Sequence, residues 1–434
     1  NCTNITVTGT IFNLTSNVSS SATCFGVRAN NVTIDCKGYM INYSQSSEGY
    51  GINISSQNGT KIRSCNIVQN ASKFGTANSY GIYAFKGSHF ATVYNSSIET
   101  NATDSYGIYL LENASNSNIT NNTITASGGY GVFLQSTAYK NSVYSNTITT
   151  SGSGGYGVYL SSTAYNNLVY SNTITASGSS GFGVILFSTA YNNSVYNNTI
   201  NTSGSSGYGV ALQTTAYNNS VYNNTITTSG SDAYGVYLFS TAYNNSVYGN
   251  TITTSGSFGY GVQLESTAYG NSVYSNTITA SGGDGYGVYF FNIVYNNSFY
   301  SNTIKTSGIN GYGVLLDLTA YENSVYSNNI TTSGSDGYGV YLSRTAYSNS
   351  VYSNTITTSN SSAYGVLLDT TAYKNSFYNN TITTNNTKSY GIFLNNSAYN
   401  NTLYDNNITT KNASGSYGIY LLNNVNNNTF YRNR

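Results

Sequence analysis

Carboxylates are the residues whose spacing most suggests chemistry, because the 434-residue chain holds only 13 Asp and Glu and several recur at a fixed interval. Glu265, Asp317 and Asp369 follow one another at 52 residues, and so do Asp232, Asp284 and Asp336. Two carboxyl groups work on a glycosidic bond when they stand about 5.5 Å apart in retaining sites or roughly 6.5–9.5 Å apart in inverting ones. His89 is the only histidine, and Glu99 is the first carboxylate after it, so a base with an orienting partner is not evident there. The chain has no Cys-x-x-Cys pair, phosphate loop, nucleophile elbow or His-Glu-x-x-His segment, and no Asp-x-Asp loop for calcium. The expectation is a chain with no catalytic, cofactor-binding or metal-ligating residue, with a polysaccharide lyase or glycoside hydrolase as the enzymatic alternative.

The elements that must carry these groups are announced by composition. Charged residues make up 6% and apolar ones 39%, with 47 Tyr, 44 Gly, no Pro, no Trp and a net charge of +1. Disorder needs low hydrophobicity and high net charge, which is the opposite balance. The 14 Lys and Arg are scattered, so no positive field suits nucleic acid, and no apolar run reaches the length of a membrane span. All four cysteines, Cys2, Cys24, Cys36 and Cys65, lie near the start, and the chain opens at Asn1 without Met, which predicts a removed signal peptide. Asn-x-Ser/Thr triplets recur throughout, and the N-glycosylation candidates are Asn4, Asn13, Asn31, Asn58, Asn101, Asn121, Asn192, Asn197, Asn218, Asn223, Asn244, Asn296, Asn379, Asn395 and Asn412. Disulfides with such triplets predict an extracellular or cell-surface location and covalent N-linked glycans, with no cofactor.

A repeat organises everything else. Tyr/Phe-Gly-Val/Ile begins at Phe25, Tyr50, Tyr80, Tyr106, Tyr130, Tyr156, Phe182, Tyr208, Tyr234, Tyr260, Tyr286, Tyr312, Tyr338, Tyr364, Tyr390 and Tyr417. From Tyr130 to Tyr390 the step is 26 residues every time. With the aromatic as position 1, Val or Ile at position 3 and Leu or Phe at position 5 hardly change, while position 4 varies (Tyr159, Ile185, Ala211, Gln263), which is the period of a strand. Position 14 is apolar and position 19 is Ile, an odd separation that cannot keep both side chains inward on one straight strand. A bend at positions 15 and 16 is therefore required. Position 17 is Asn (Asn146, Asn172, Asn198, Asn224, Asn250) where position 16 drifts, so position 17 points inward and position 16 outward.

Three short strands per 26 residues, at about positions 2–5, 13–15 and 17–21, predict an all-β fold. It is a single parallel β-helix of about sixteen coils, right-handed by crossover chirality. Residues 1–79 are read as a disulfide-stapled cap with irregular first coils, and residues 80–434 as one continuous run of regular coils. Successive Asn at position 17 should form an amide ladder, and Tyr at positions 10 and 15 two aromatic ladders, with His89 a substituted member of the first. The Gly at position 2 has no helix after it, so it is a steric device rather than a phosphate cradle.

Tyr-Gly-Ile/Val-Tyr-Leu followed by Asn-Asn-Ser-Val-Tyr-Ser-Asn-Thr-Ile resembles the repeats of NosD-type, pectate-lyase-like right-handed β-helix surface proteins, and residues 30–38 (Asn-Asn-Val-Thr-Ile-Asp-Cys-Lys-Gly) resemble their N-terminal caps. The resemblance covers nearly the whole chain and implies the fold. The same coil carries lyases, hydrolases, tailspikes, adhesins and structural proteins. Cys36 and Cys65 sit 29 residues apart at similar places in consecutive coils, and coils stacked at ~4.8 Å lie within disulfide reach. Four cysteines allow three pairings; the stacking favours Cys36 with Cys65, leaving Cys2 with Cys24.

On this architecture the 52-residue interval is every second coil. It separates like carboxylates by ~10 Å, beyond a retaining pair and at the outer edge of an inverting one. Skipping a coil also keeps like charges from stacking. Position-by-position redundancy and low charge lead to the expectation of a glycosylated structural protein whose solenoid ends join identical subunits head to tail into a filament or surface array. Its alternative is a carbohydrate-binding adhesin or polysaccharide-acting enzyme on the same scaffold, with cell-surface glycans as partners and residues 51–79, including Lys61 and Arg63, as the irregular region to test.

Overall fold

The computed structural model describes residues 1–69, 78–411 and 414–434. The chain folds as a parallel β-solenoid of about sixteen coils, with no helix among the described residues, and divides into two compact units. The first holds Asn1–Ala211 and Ala216–Ser220, the second Leu212–Thr215 and Val221–Arg434. Asn412 lies outside the described residues.

A representative coil of the first unit has strands Val158–Ser161, Leu168–Tyr170 and Thr173–Ala176; one of the second has Val262–Glu265, Ser272–Tyr274 and Thr277–Ala280. These are positions 3–6, 13–15 and 18–21, and each strand pairs in parallel with its equivalent one coil on, giving three sheets. In the first unit Val158 stands opposite Val184, Val169 opposite Val195 and Ile174 opposite Ile200. In the second, Val262 faces Val288, Val273 faces Phe299 and Ile278 faces Ile304. The inward residues form apolar columns, aliphatic but for Phe at places such as Phe290 and Phe299, each side chain contributing roughly 1.5–3 kcal/mol when fully buried.

Two corners join the sheets. Each corner is one residue with positive φ followed by an Asn turned inward. At position 16, Ser145, Ser171 and Asn197 have φ of 54° each; at position 11, Asn166 and Asn192 have φ of 54°. Asn and Ser tolerate this left-handed conformation better than bulkier residues, which explains why these positions drift among small and polar types.

The first 24 residues are already a coil. Thr3–Ile5, Ile11–Asn13 and Val18–Ser19 pair in register with Phe25–Val27, Thr33–Asp35 and Met40–Tyr43. Disulfides join Cys2 to Cys24 and Cys36 to Cys65, with Cα separations of 4.5 and 4.7 Å.

Candidate functional site

The first sheet brings aromatic side chains and carboxylates together on one face. Its outward residues at positions 1 and 4 form an aromatic strip: in the first unit Tyr80 stacks on Tyr106 at 4.9 Å and Tyr106 on Tyr130 at 4.6 Å, while Tyr109 meets Tyr106 edge-on. In the second unit the column runs through Tyr260, Tyr286, Tyr312 and Tyr338 at 4.8–5.0 Å. The variable position 4 is buried in this strip at Ala211, Gln263 and Tyr237, which are 0%, 3% and 7% exposed, and half-buried at Tyr159, Tyr289 and Tyr341. The ring faces cover one another, so the columns present edges and hydroxyl groups rather than open faces.

Burial pushes the Tyr106 and Tyr260 phenols up to about 12, with Asp104 beside the first and Asp284, Asp232 and Glu265 beside the second adding to it. A folded value above the unfolded value of about 10 means that the neutral rings stabilise the fold fully below pH 10, and that this stability drains away as pH rises through 12. Absorbance at 295 nm should therefore show these tyrosines titrating late, with β-sheet circular dichroism lost between pH 10 and 12. Intact circular dichroism beyond pH 12 would contradict this.

In the second unit the strip alternates with a two-coil period. The Tyr237 hydroxyl donates to Glu265 Oε2 at 2.6 Å, Tyr289 to Asp317 at 3.2 Å and Tyr341 to Asp369 at 3.4 Å. Each is a position-4 Tyr bonded to a position-6 carboxylate one coil on. Gln263 Nε2 also donates to Glu265 at 2.9 Å, Arg344 pairs with Asp317 at 3.5 Å, and Asn396 donates to Asp369 at 2.8 Å. Asp317 and Asp369 also accept the backbone N–H of Leu318 and Thr370, capping the bend that ends the strand. The position-25 acids sit in turns, where Asp232 accepts from Ser231 and Asp284 from Asn310.

The other sequence candidates are engaged in the scaffold. His89 bonds Ser115 Oγ at 2.7 Å and stands in the position-10 column ahead of Ser115 and Tyr139. Arg63 pairs with Asp35 at 2.8 Å and donates to Tyr94, while Lys61 is exposed. The Lys37 and Arg63 bonds hold the Asp35 carboxyl below its usual range. The rest of the irregular stretch, 70–77, lies outside the described residues. Among the described residues no group of three His, Cys, Asp or Glu could hold a metal ion, and no helix is long and apolar enough to cross a membrane.

The position-17 Asn side chains form an amide ladder. Asn146 Nδ2 donates to Asn172 Oδ1 at 3.0 Å and Asn172 Nδ2 to Asn198 Oδ1 at 3.0 Å, while in the second unit Asn224 donates to Asn250 at 3.0 Å. A second ladder at position 12, through Asn141, Asn167, Asn193 and Asn219, is absent from the sequence reading. So is the position-1 Tyr column. Both had a signal, since Asn at 12 is constant while 11 drifts, and the signature aromatic is itself a repeat.

Of the glycosylation candidates, Asn4, Asn13, Asn31, Asn58, Asn101, Asn121, Asn192, Asn197, Asn218, Asn223, Asn244, Asn296 and Asn379 are exposed, and Asn395 is half-buried. In the regular coils the triplet has a structural origin: a left-handed corner residue, the inward ladder Asn, then the Ser or Thr that opens the next strand.

Residues 309–434 match the family described as periplasmic copper-binding protein (NosD). That segment contains no His, Cys or Met, the side chains copper favours, so its residues do not fit a copper site. No curated protein sequence matches this one. Among solved structures, a periplasmic alginate epimerase is similar over 72% of this chain and 78% of its own, at 14% identity and a TM-score of 0.56. The tailspike of E. coli bacteriophage HK620, in complex with a pentasaccharide, is similar over 91% of this chain and 71% of its own, at 14% identity and a TM-score of 0.52. At that identity the likeness is one of fold. Residues 1–174 and 111–278 match the right-handed β-helix region, more than half of the sequence, and the chain belongs to that family.

Proposed function

We propose that this protein is displayed in the cell envelope or outside the cell and binds a linear carbohydrate along the first-sheet face of its second unit, without turning it over. The observation that carries this reading is the alternation of Tyr237–Glu265, Tyr289–Asp317 and Tyr341–Asp369 on a scaffold whose Asn ladders repeat every coil. An array of polar groups recurring every ~10 Å suits a ligand that is itself periodic, since several weak contacts to one chain multiply into avidity. The half-buried carboxylates of Glu265 and Asp369 can accept sugar hydroxyls, whereas Asp317 is buried beneath its Arg344 pair; phenol edges both donate and accept. Alginate and a pentasaccharide named with the two similar structures are in keeping with a glycan partner. Hydroxyl and backbone bonds already hold the carboxylates in place, which favours binding over acid–base work; no cofactor is needed, and exposed corner asparagines such as Asn192 are open to N-linked glycans.

The test is retention on a panel of immobilised polysaccharides. The triple variant Glu265→Gln, Asp317→Asn, Asp369→Asn keeps the amide acceptors for Leu318 and Thr370, and is expected to lose retention at least ~10-fold with no reducing sugar released by either protein. Unchanged retention would remove this face from the reading.

A second reading is a structural polymer of identical subunits. It draws on the low share of charged residues, 6%, and on side-chain ladders that recur from coil to coil in each unit. Light scattering over a concentration series separates the two, because a polymer grows with concentration and a glycan binder stays of one size.

A further inference from the structure

The outward position-4 column of the first unit is interrupted near its start. Strand register places Asn4 opposite Gly26, Gly26 opposite Asn53, Asn53 opposite Tyr83, and Tyr83 opposite Tyr109. Where every later coil carries a side chain, the second coil carries a glycine. The gap is part of a hollow of about 310 Å³ that also takes in Thr23, Arg28 and the Cys2–Cys24 disulfide. A Cβ on Gly26 would overlap the Asn4 amide oxygen and come within 3.1 Å of the Arg28 guanidinium, so glycine is what lets these two groups lie over the sheet.

The polar groups of this notch are incompletely matched. Arg28 donates through Nη1 to the carbonyls of Val27 at 3.0 Å and Asn53 at 3.3 Å, and forms no ion pair among the described residues. Asn53 Oδ1 is shielded from solvent and has no hydrogen-bond partner. A guanidinium without a carboxylate pairs best with a planar or tetrahedral oxyanion, through its remaining N–H groups. A buried amide oxygen without a donor is costly, and rotation of the Asn53 amide into the hollow it lines would bring that oxygen to a ligand hydroxyl or amine. One small ligand that supplies both is a sugar unit bearing an anionic substituent. Past Asn53 the notch opens onto the aromatic strip, where Tyr50 and Tyr83 stand 5.0 Å apart, so neighbouring sugars of a chain could continue along the same face.

We propose that the Gly26 notch is a subsite for an anionic sugar residue, held by Arg28 through its carboxylate or sulfate and by Asn53 through a hydroxyl. It rests on the reading that the protein binds carbohydrate, but at a different place and by opposite charge. The disulfide pins the strand that carries Asn4 and so keeps the notch formed.

The experiment is calorimetric titration of the full chain with three trisaccharides: one of galacturonate, one of 6-sulfated galactose and one of neutral galactose. At least one anionic trisaccharide is expected to bind ~10-fold or more tightly than the neutral one, and whichever does so identifies the carboxylate or the sulfate as the group recognised. Arg28→Gln and Gly26→Val should each weaken that binding ~10-fold or more with the thermal midpoint unchanged; should the valine variant misfold, Arg28→Gln decides alone. Equal binding of neutral and anionic sugars, no binding of either anionic sugar, or full binding by Arg28→Gln would overturn the notch. Polysaccharide retention lost only in the triple carboxylate variant would then leave the second-unit face standing, whereas Arg28-dependent binding with retention unchanged in that variant would leave the notch and remove the face.

Discussion

Asn172→Leu should destabilise the first unit by about 2–6 kcal/mol. In the folded chain Asn172 Oδ1 accepts from both the backbone N–H and the Nδ2 of Asn146, and its own Nδ2 donates to the Val143 carbonyl at 2.8 Å and to Asn198 Oδ1 at 3.0 Å. Leucine fills a similar volume but removes all four bonds; Asn146 Nδ2 keeps the Ile119 and Tyr144 carbonyls and Asn198 Oδ1 keeps the backbone N–H of residue 172, whereas the Asn146 backbone N–H and the Val143 carbonyl are left facing an apolar side chain, at roughly 1–3 kcal/mol for each of these two. The penalty is larger than for an isolated Asn because the amides polarise one another along the column. Asn172→Asp separates the hydrogen-bond account from simple packing. It keeps an acceptor toward Asn146 but cannot donate to Val143 or Asn198 while ionised, so its burial raises the carboxyl pKa and its stability should improve as pH falls. Ser171→Asn, one residue away on the exposed corner where φ is 54°, should cost almost nothing, since Asn197 occupies the same place with the same φ. Urea titrations of the three variants check the order. A leucine variant within 1 kcal/mol of the parent would mean that the columns hold the coil by apolar packing alone.

The same ladder shows what could be read from the chain and what could not. Position 17 was legible because a constant Asn beside a drifting neighbour has no surface explanation. Position 12 offered the same contrast, with Lys140, Asn166, Gly270 and Glu322 preceding invariant Asn, yet the Asn-Asn-Ser triplets there read as glycosylation signals and hid it. Position 4 was obscured for another reason. Variability normally marks exposure, but in a stacked sheet each outward side chain is covered by the ones above and below it, so Ala211, Tyr237 and Gln263 can differ and still be buried. The carboxylate period was visible as 52 residues, whereas the Tyr hydroxyls that bond those carboxylates depend on a one-coil offset between positions 4 and 6 that spacing alone does not fix. The Gly26 notch was out of reach for the same reason: a glycine inside Phe-Gly-Val looks like every other signature glycine until strand register places it in the position-4 column.

Gly157→Val, a representative change at a signature glycine of the first unit, should cost about 3 kcal/mol or more. Gly157 occupies position 2, where the first sheet approaches the third. A Cβ there would overlap Cγ2 of Ile174, the position-19 residue across the core, and the Gly183 carbonyl oxygen one coil on. The first obstacle is a side chain of a close-packed interior and the second is backbone held in the ladder, so neither can move far, and overpacking of this kind costs typically 1–3 kcal/mol before the branched side chain adds its own clash. Ile174→Ala alone should cost about 2–5 kcal/mol through the cavity it leaves. If the glycine is there because isoleucine needs the space, the two defects must compensate in part. The double variant Gly157→Ala, Ile174→Ala should then be more stable than the sum of its single changes by about 1 kcal/mol, the residue of the penalty being the clash with Gly183 that no side-chain change removes. Strict additivity in a denaturation cycle would show instead that backbone approach between coils, not the isoleucine, is what keeps the position free of a side chain.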